Sequence, residues 1–114
     1  MEVGSVIKVA FPQGDGKIKF RPAIALAKIP PFNDWTVCGV SSKINLEVNG
    51  LDILIHKKHP DFKLWGLPYP GIIRAGFIAT IPENIINGTI GNISKETCKN
   101  LLENISEYLL NNKF

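Results

Sequence analysis

Cysteine, histidine and methionine are scarce in this chain, numbering two, two and one among 114 residues. Cys38 and Cys98 lie sixty positions apart, which excludes a disulfide-dense scaffold and the short cysteine spacings of a zinc site. Both are read as buried free thiols. His56 and His59 are three apart at a strand end and share no helical face, so no metal site is expected. No G-x-S-x-G surrounds any serine, which argues against a serine hydrolase. The longest uninterrupted apolar stretch, Ala23 to Ala27, falls far short of the roughly 20 residues of a membrane-spanning helix. No charged-then-apolar leader is recognisable, and the expectation is a cytoplasmic protein without a membrane partner. The Asn-x-Ser/Thr triplets at Asn87, Asn92 and Asn104 are then by-products of an Asn-rich, Ile-rich composition. Repeats and low-complexity tracts are absent, and the length suits one domain, residues 1 to 114.

What is present is short apolar segments and an uneven charge. Residues 1 to 80 carry ten Lys or Arg against six Asp or Glu, and residues 81 to 114 carry three against four, so the net charge of +3 belongs to the first part. Such an excess fits a polyanionic partner. Val6 to Phe11 has the period-2 pattern of a half-buried strand ended by Pro12. Gln13 to Lys19, with two glycines, an aspartate and two lysines, reads as a mobile loop. Strands follow at Pro22 to Lys28, Trp35 to Ser42, Leu51 to His56, Gly71 to Thr80 and Thr89 to Ile93, each bounded by Gly, Pro, Asn or Asp. Close spacing without intervening helices predicts a mainly β, α+β fold: about six antiparallel strands curled into a small SH3-like barrel.

One helix is predicted, from Lys95 to about Leu110. Ser94 can cap it, Glu96 suits the positive end of its dipole, and Cys98, Leu101, Leu102, Ile105 and Leu109 share a face that should pack on the sheet. A shorter turn is expected from Pro82 to Asn87-Gly88.

Three stretches carry residues suited to chemistry. In "FRPAIALAK" a proline holds Arg21 extended at the mouth of a strand. In "VCGVSSKI" two hydroxyls, Ser41 and Ser42, and a lysine, Lys43, stand where apolar alternation stops. Serines there are commonly turn formers, but beside an arginine they make a phosphate cradle, since guanidinium offers a planar fork of donors and serine one more. In "KKHPDFKLWGLPYP", Lys57, Lys58 and Lys63 interleave with Phe62, Trp65 and Tyr69. Basic groups track a nucleic-acid backbone while aromatic faces stack bases. The same loop reads equally as one whose aromatics cover the core.

Taken in order, "GSVIKVAF", "FRPAIALAK", "WTVCGVSSKI", "PGIIRAGFIATIPENIINGTIGNIS" and the closing helix resemble the MazF/PemK toxins of bacterial toxin-antitoxin pairs over nearly the whole chain. The resemblance implies an SH3-like barrel, a two-fold homodimer, and a metal-independent, cofactor-free, sequence-specific endoribonuclease silenced by an acidic antitoxin. It implies catalysis by Arg21 and Ser41 on single-stranded RNA, with Arg74 of "IIRAG" matching the arginine of the PemK "V-V-R-x-D" segment. Gly76 stands in place of that segment's aspartate, which removes a candidate base. Lys43 stands where glutamine or glycine is frequent. Lys17, Lys19, Ser42, Lys43, Lys57, Lys58, Lys63 and Trp65 are the expected RNA-binding residues, on a groove between the Gln13 to Lys19 and Lys57 to Pro70 loops. The rival classes are a non-catalytic CcdB-like gyrase poison and a plain RNA-binding module.

Overall fold

The structure is a computed structural model that describes residues 1–12 and 15–112. Six strands, β1 (Ser5–Pro12), β2 (Ile18–Ile29), β3 (Asp34–Ser41), β4 (Ile53–Ile55), β5 (Gly71–Pro82) and β6 (Ile86–Asn92), precede one helix, α1 (Lys95–Leu110). They form a single sheet in the order β4-β5-β3-β2-β1-β6, with every neighbouring pair antiparallel. β4 and β6 stand at opposite edges and do not pair, so the expected barrel is an open sheet. Closure needs edge strands long enough to pair twice, and β4 has three residues.

Both faces of the central strands are apolar. Along β1 and β2, Val6, Ile24 and Leu26 join one buried cluster, while Ile7, Val9, Ala23 and Ala25 join another on the alternate positions. The half-buried pattern expected for the first strand is therefore buried on both sides where it crosses the middle of the sheet. The first cluster is covered by Cys98 and Leu101 of α1 and by Trp65 from the 56–70 loop.

β2 begins four residues earlier than the predicted strand. Ile18, Lys19, Phe20 and Arg21 pair with Pro12, Phe11, Ala10 and Val9, and β3 joins only from Ala23 opposite Gly39. Pro22 thus sits just outside the β2–β3 ladder, where its missing N–H costs no bond to β3. The apolar and charged alternation of Ile18 to Arg21 was a strand signal masked by the Gly- and Lys-rich approach; the Gln13 end of that expected loop lies outside the described residues. β4 is shorter than expected. A 3-10 turn at Glu83–Ile85 follows Pro82, but Asn87 and Gly88 belong to β6.

α1 has the expected bounds, and Ser94 Oγ accepts the Thr97 N–H at 3.2 Å. Its buried face is narrower than its periodicity: Cys98 and Leu101 are buried, but Leu102 and Leu109 are 40% and 61% exposed. Cys38 and Cys98 are both free and buried. Loss of solvent pushes the Cys38 thiol up to about 12 and raises that of Cys98, which leaves both un-ionised and inert at neutral pH.

Asp61 ties the 56–70 loop to this helix. Its Oδ2 accepts the Ser94 N–H at 3.0 Å and the Ser94 hydroxyl at 3.1 Å, a carboxylate at the positive end of the dipole. Burial alone would raise this carboxyl, but the hydrogen bonds from Ser94 and Thr97 and the nearby His59 outweigh it and hold it below 3.8. A carboxyl depressed on folding stabilises fully above its unfolded value, and the contribution is lost as pH falls through the folded one. Asp61→Asn should therefore cost about 1–3 kcal/mol at pH 7. In thermal melts run from pH 7 to pH 2, the gap between parent and variant should narrow below about pH 4. A gap that stays constant to pH 2 would remove the charge from this account.

Candidate active site

A break in the β3–β5 register builds the site. Cys38 pairs with Ile78 and Val40 with Ile73, so Arg74, Ala75, Gly76 and Phe77 of β5 face Gly39 alone. The excess residues bulge from the ladder, a device that re-aims side chains. Two features hold the bulge. The backbone N–H of Ala75 donates to Oδ1 of the buried Asp52 at 3.0 Å, and the other oxygen of that carboxylate accepts the Val48 N–H at 2.9 Å. Phe77 lies across Gly39, where a Cβ would come within 2.7 Å of the ring.

The bulge forms one wall of a cleft of about 730 Å3, and the end of β3 and the beginning of β2 form the rest. Arg74 projects from the bulge, exposed, with its guanidinium carbon 5.4 Å from the Phe77 ring centroid. Arg21 comes from β2, also exposed. Ser41 ends β3, half-buried. Its Oγ accepts the Lys43 N–H at 3.1 Å, a local turn that leaves its own O–H proton available to a ligand. Lys19, Ser42 and Lys43 line the same cleft, with Tyr69, Phe20 and Phe77 as its aromatic surface. Among the described residues the lining holds four cationic side chains and no carboxylate or imidazole, and neither arginine has an ion-pair partner. Such a cleft suits a phosphate chain.

Of the residues singled out from sequence, Arg21, Ser41, Arg74, Lys19, Ser42 and Lys43 meet here. Lys17 precedes β2, and Lys57, Lys58 and Lys63 are exposed on the 56–70 loop; none of the four lines the cleft. The groove expected between two loops is instead a groove between strand ends, to which those loops contribute Lys19 and Tyr69. Trp65 is corrected outright: it is fully buried in the first cluster and has no face for a base. The loop folds back through hydrogen bonds from Leu64 and Trp65 N–H to Asp61 O, which turns the indole inward. No metal-binding cluster of His, Cys, Asp and Glu exists among the described residues, and none of their helices is long and apolar enough to cross a membrane.

Sequence reasoning misses Phe20, Phe77 and Asp52: nothing in residue type or spacing marks the phenylalanines, which the structure leaves 55% and 48% exposed on the cleft. Gly76 has room for a side chain, since a Cβ there meets nothing nearer than Leu51 at 3.9 Å.

Among curated proteins, none matches this sequence. Solved structures share its fold. The Mycobacterium tuberculosis toxin MazF-mt6 is 17% identical with a TM-score of 0.70, over 96% of this chain and 99% of that one. An endoribonuclease in complex with its cognate antitoxin from a mycobacterial species is 11% identical with a TM-score of 0.69, over 97% and 96%. A family model described as PemK-like, MazF-like toxin of type II toxin-antitoxin system matches residues 2–109. With that match spanning nearly its full length, the chain belongs to the PemK-like, MazF-like toxins of type II toxin-antitoxin systems.

Proposed function

We propose that this toxin is an endoribonuclease that cleaves single-stranded RNA at the cleft, with Arg21, Ser41 and Arg74 acting on the scissile phosphate. The observation that carries this reading is the convergence on one cationic cleft of two guanidiniums without ion-pair partners among the described residues and a hydroxyl with a free proton. RNA supplies its own nucleophile. The 2′-oxygen forms a bond to the adjacent phosphorus, the bond from phosphorus to the 5′-oxygen breaks, and the products are a 2′,3′-cyclic phosphate and a 5′-hydroxyl. The 2′-OH proton leaves to solvent, and a proton reaches the departing 5′-oxygen. The protein's task is to hold the phosphate and to offset the charge that develops on its oxygens. Arg21 stabilises that charge and passes a proton to the leaving oxygen; Ser41 donates to a non-bridging oxygen; Arg74 anchors the phosphate. Lys19, Ser42 and Lys43 extend the contacts along the strand, and Lys17, Lys57, Lys58 and Lys63 supply longer-range attraction from outside the cleft.

The partners follow the same charge logic. A second copy forms a two-fold dimer, and an acidic antitoxin segment covers the cationic cleft and competes with RNA charge for charge. Co-purification with a small acidic protein that stops cleavage supports this; a complex that cuts at full rate places the antitoxin elsewhere.

The test is incubation of the purified protein with a long unstructured RNA in EDTA. Discrete cuts ending in cyclic phosphate are expected, whereas a gyrase poison or a binding module leaves the RNA whole. The pH dependence sharpens it. Among the described residues no Asp, Glu, His or Cys lines the cleft, and those are the types that titrate between about pH 3 and 9. With solvent as the base, the single-turnover rate should rise about tenfold per pH unit from 6 to 8. A plateau with a midpoint near 6 would instead put a protein base in the site.

A further inference from the structure

We infer that Phe77 is a stacking platform for one unpaired base of the RNA, and that Phe77 and Arg74 together clamp a single nucleotide, base on ring and phosphate on guanidinium. This rests on the RNA reading above and adds to it the residue that grips a base rather than a phosphate.

Phe77 is a large apolar side chain left 48% exposed in the cleft; on the same strand Ile72, Ile73 and Ile81 are buried, while Ile78 is also exposed but does not line the cleft. Its position is built. The register break moves it out of the β3–β5 ladder, and the lack of a side chain at Gly39 lets the ring settle on the β3 backbone. Asp52 secures the same bulge by taking the Ala75 N–H. A residue exposed by accident needs none of this support.

Arg74 stands 5.4 Å from the ring centroid. The guanidinium lies over the ring face, so a base that stacks there displaces it sideways toward the phosphate of the same nucleotide. Every base has a π-face, so a phenylalanine grips without reading hydrogen bonds, and the attraction acts on unpaired strands, where faces are free. Phe20 and Tyr69 extend the aromatic surface for neighbouring bases.

The experiment compares two uncleavable probes, a mixed-sequence 2′-O-methyl RNA and the same backbone with every base removed. Phe77→Ala should weaken binding of the intact probe on the order of tenfold and leave the abasic probe unchanged. Phe77→Leu, which keeps apolar volume without a π-face, should match Phe77→Ala in binding and the parent in thermal unfolding. Arg74→Ala should weaken both probes. In Phe77→Trp, the intact probe should quench indole emission beyond any change from the buried tryptophans, and the abasic probe should not. Parental affinity of Phe77→Ala for the intact probe, or an equal loss on both probes, overturns the inference. Neither probe can be cut, so these results do not depend on catalysis; a parent protein that binds them yet leaves ordinary RNA whole would refute the nuclease reading alone.

Discussion

Replacing Arg21 with alanine is expected to slow single-turnover RNA cleavage by about 10²- to 10³-fold or more, with the melting temperature essentially unchanged. The two halves of that expectation come from the same observation. Arg21 is exposed and has no ion-pair partner among the described residues, so folding does not depend on it. For that reason its donors are free when a phosphate arrives, and they meet the developing charge without first breaking other bonds. Lys at the same position should recover only part of the rate, because an ammonium keeps the charge and loses the planar fork.

In the proposed mechanism Ser41 holds the same phosphate in the same step, so Ser41→Ala should impair that step too. Groups that work as a unit are strongly non-additive, so Arg21→Ala combined with Ser41→Ala should be far less impaired than the product of the single effects. Arg74→Ala should cost less than Arg21→Ala, since in the proposed division of labour Arg74 holds the phosphate while Arg21 meets the charge that develops on it. A folded Arg21→Ala protein that cuts at the parental rate would remove this residue from the site, and with it the mechanism proposed for the cleft.

The parts of this protein that were legible in the sequence are those with local causes. Ser94 and the spacing of Cys98, Leu101 and Ile105 gave α1 its bounds, because capping and helical periodicity are written over a few neighbouring residues. Strand positions were visible through period-2 alternation. The order of the strands was not, nor was the failure of β4 to close the sheet, since pairing partners are set by contacts distant in sequence. The candidate site divides the same way. Arg21 and Ser41 stood out by residue type at strand ends. Phe77 and Asp52 did not, because their place depends on a register break between β3 and β5 that no spacing within either strand reveals. An aromatic in a basic loop is ambiguous until burial is known, so Trp65 reads as an RNA contact from the sequence and is core in the structure.

Trp65 supplies the largest expected change in stability. Its side chain is wholly buried against the cluster that includes Ile55, Ile73 and Leu101. Gly71 exists in part to make room for it, as a Cβ there would stand 2.7 Å from the indole. Trp65→Ala should cost about 3–5 kcal/mol, from lost burial and from the cavity left under the 56–70 loop. Against the roughly 5–15 kcal/mol that holds a typical domain together, that is about a fifth or more of the total. The melting temperature should fall by roughly 10–25 °C. The indole Nε1–H has no acceptor among the described residues, so its burial opposes folding. Trp65→Phe, which removes that donor and keeps a ring, should therefore cost less than half as much. Binding of uncleavable RNA, corrected for the folded fraction, should be unaltered in both variants, in contrast to Phe77→Ala. A Trp65→Ala protein with the parental melting temperature and weakened RNA binding would return this tryptophan to the surface and overturn the account of the loop as a cover for the core.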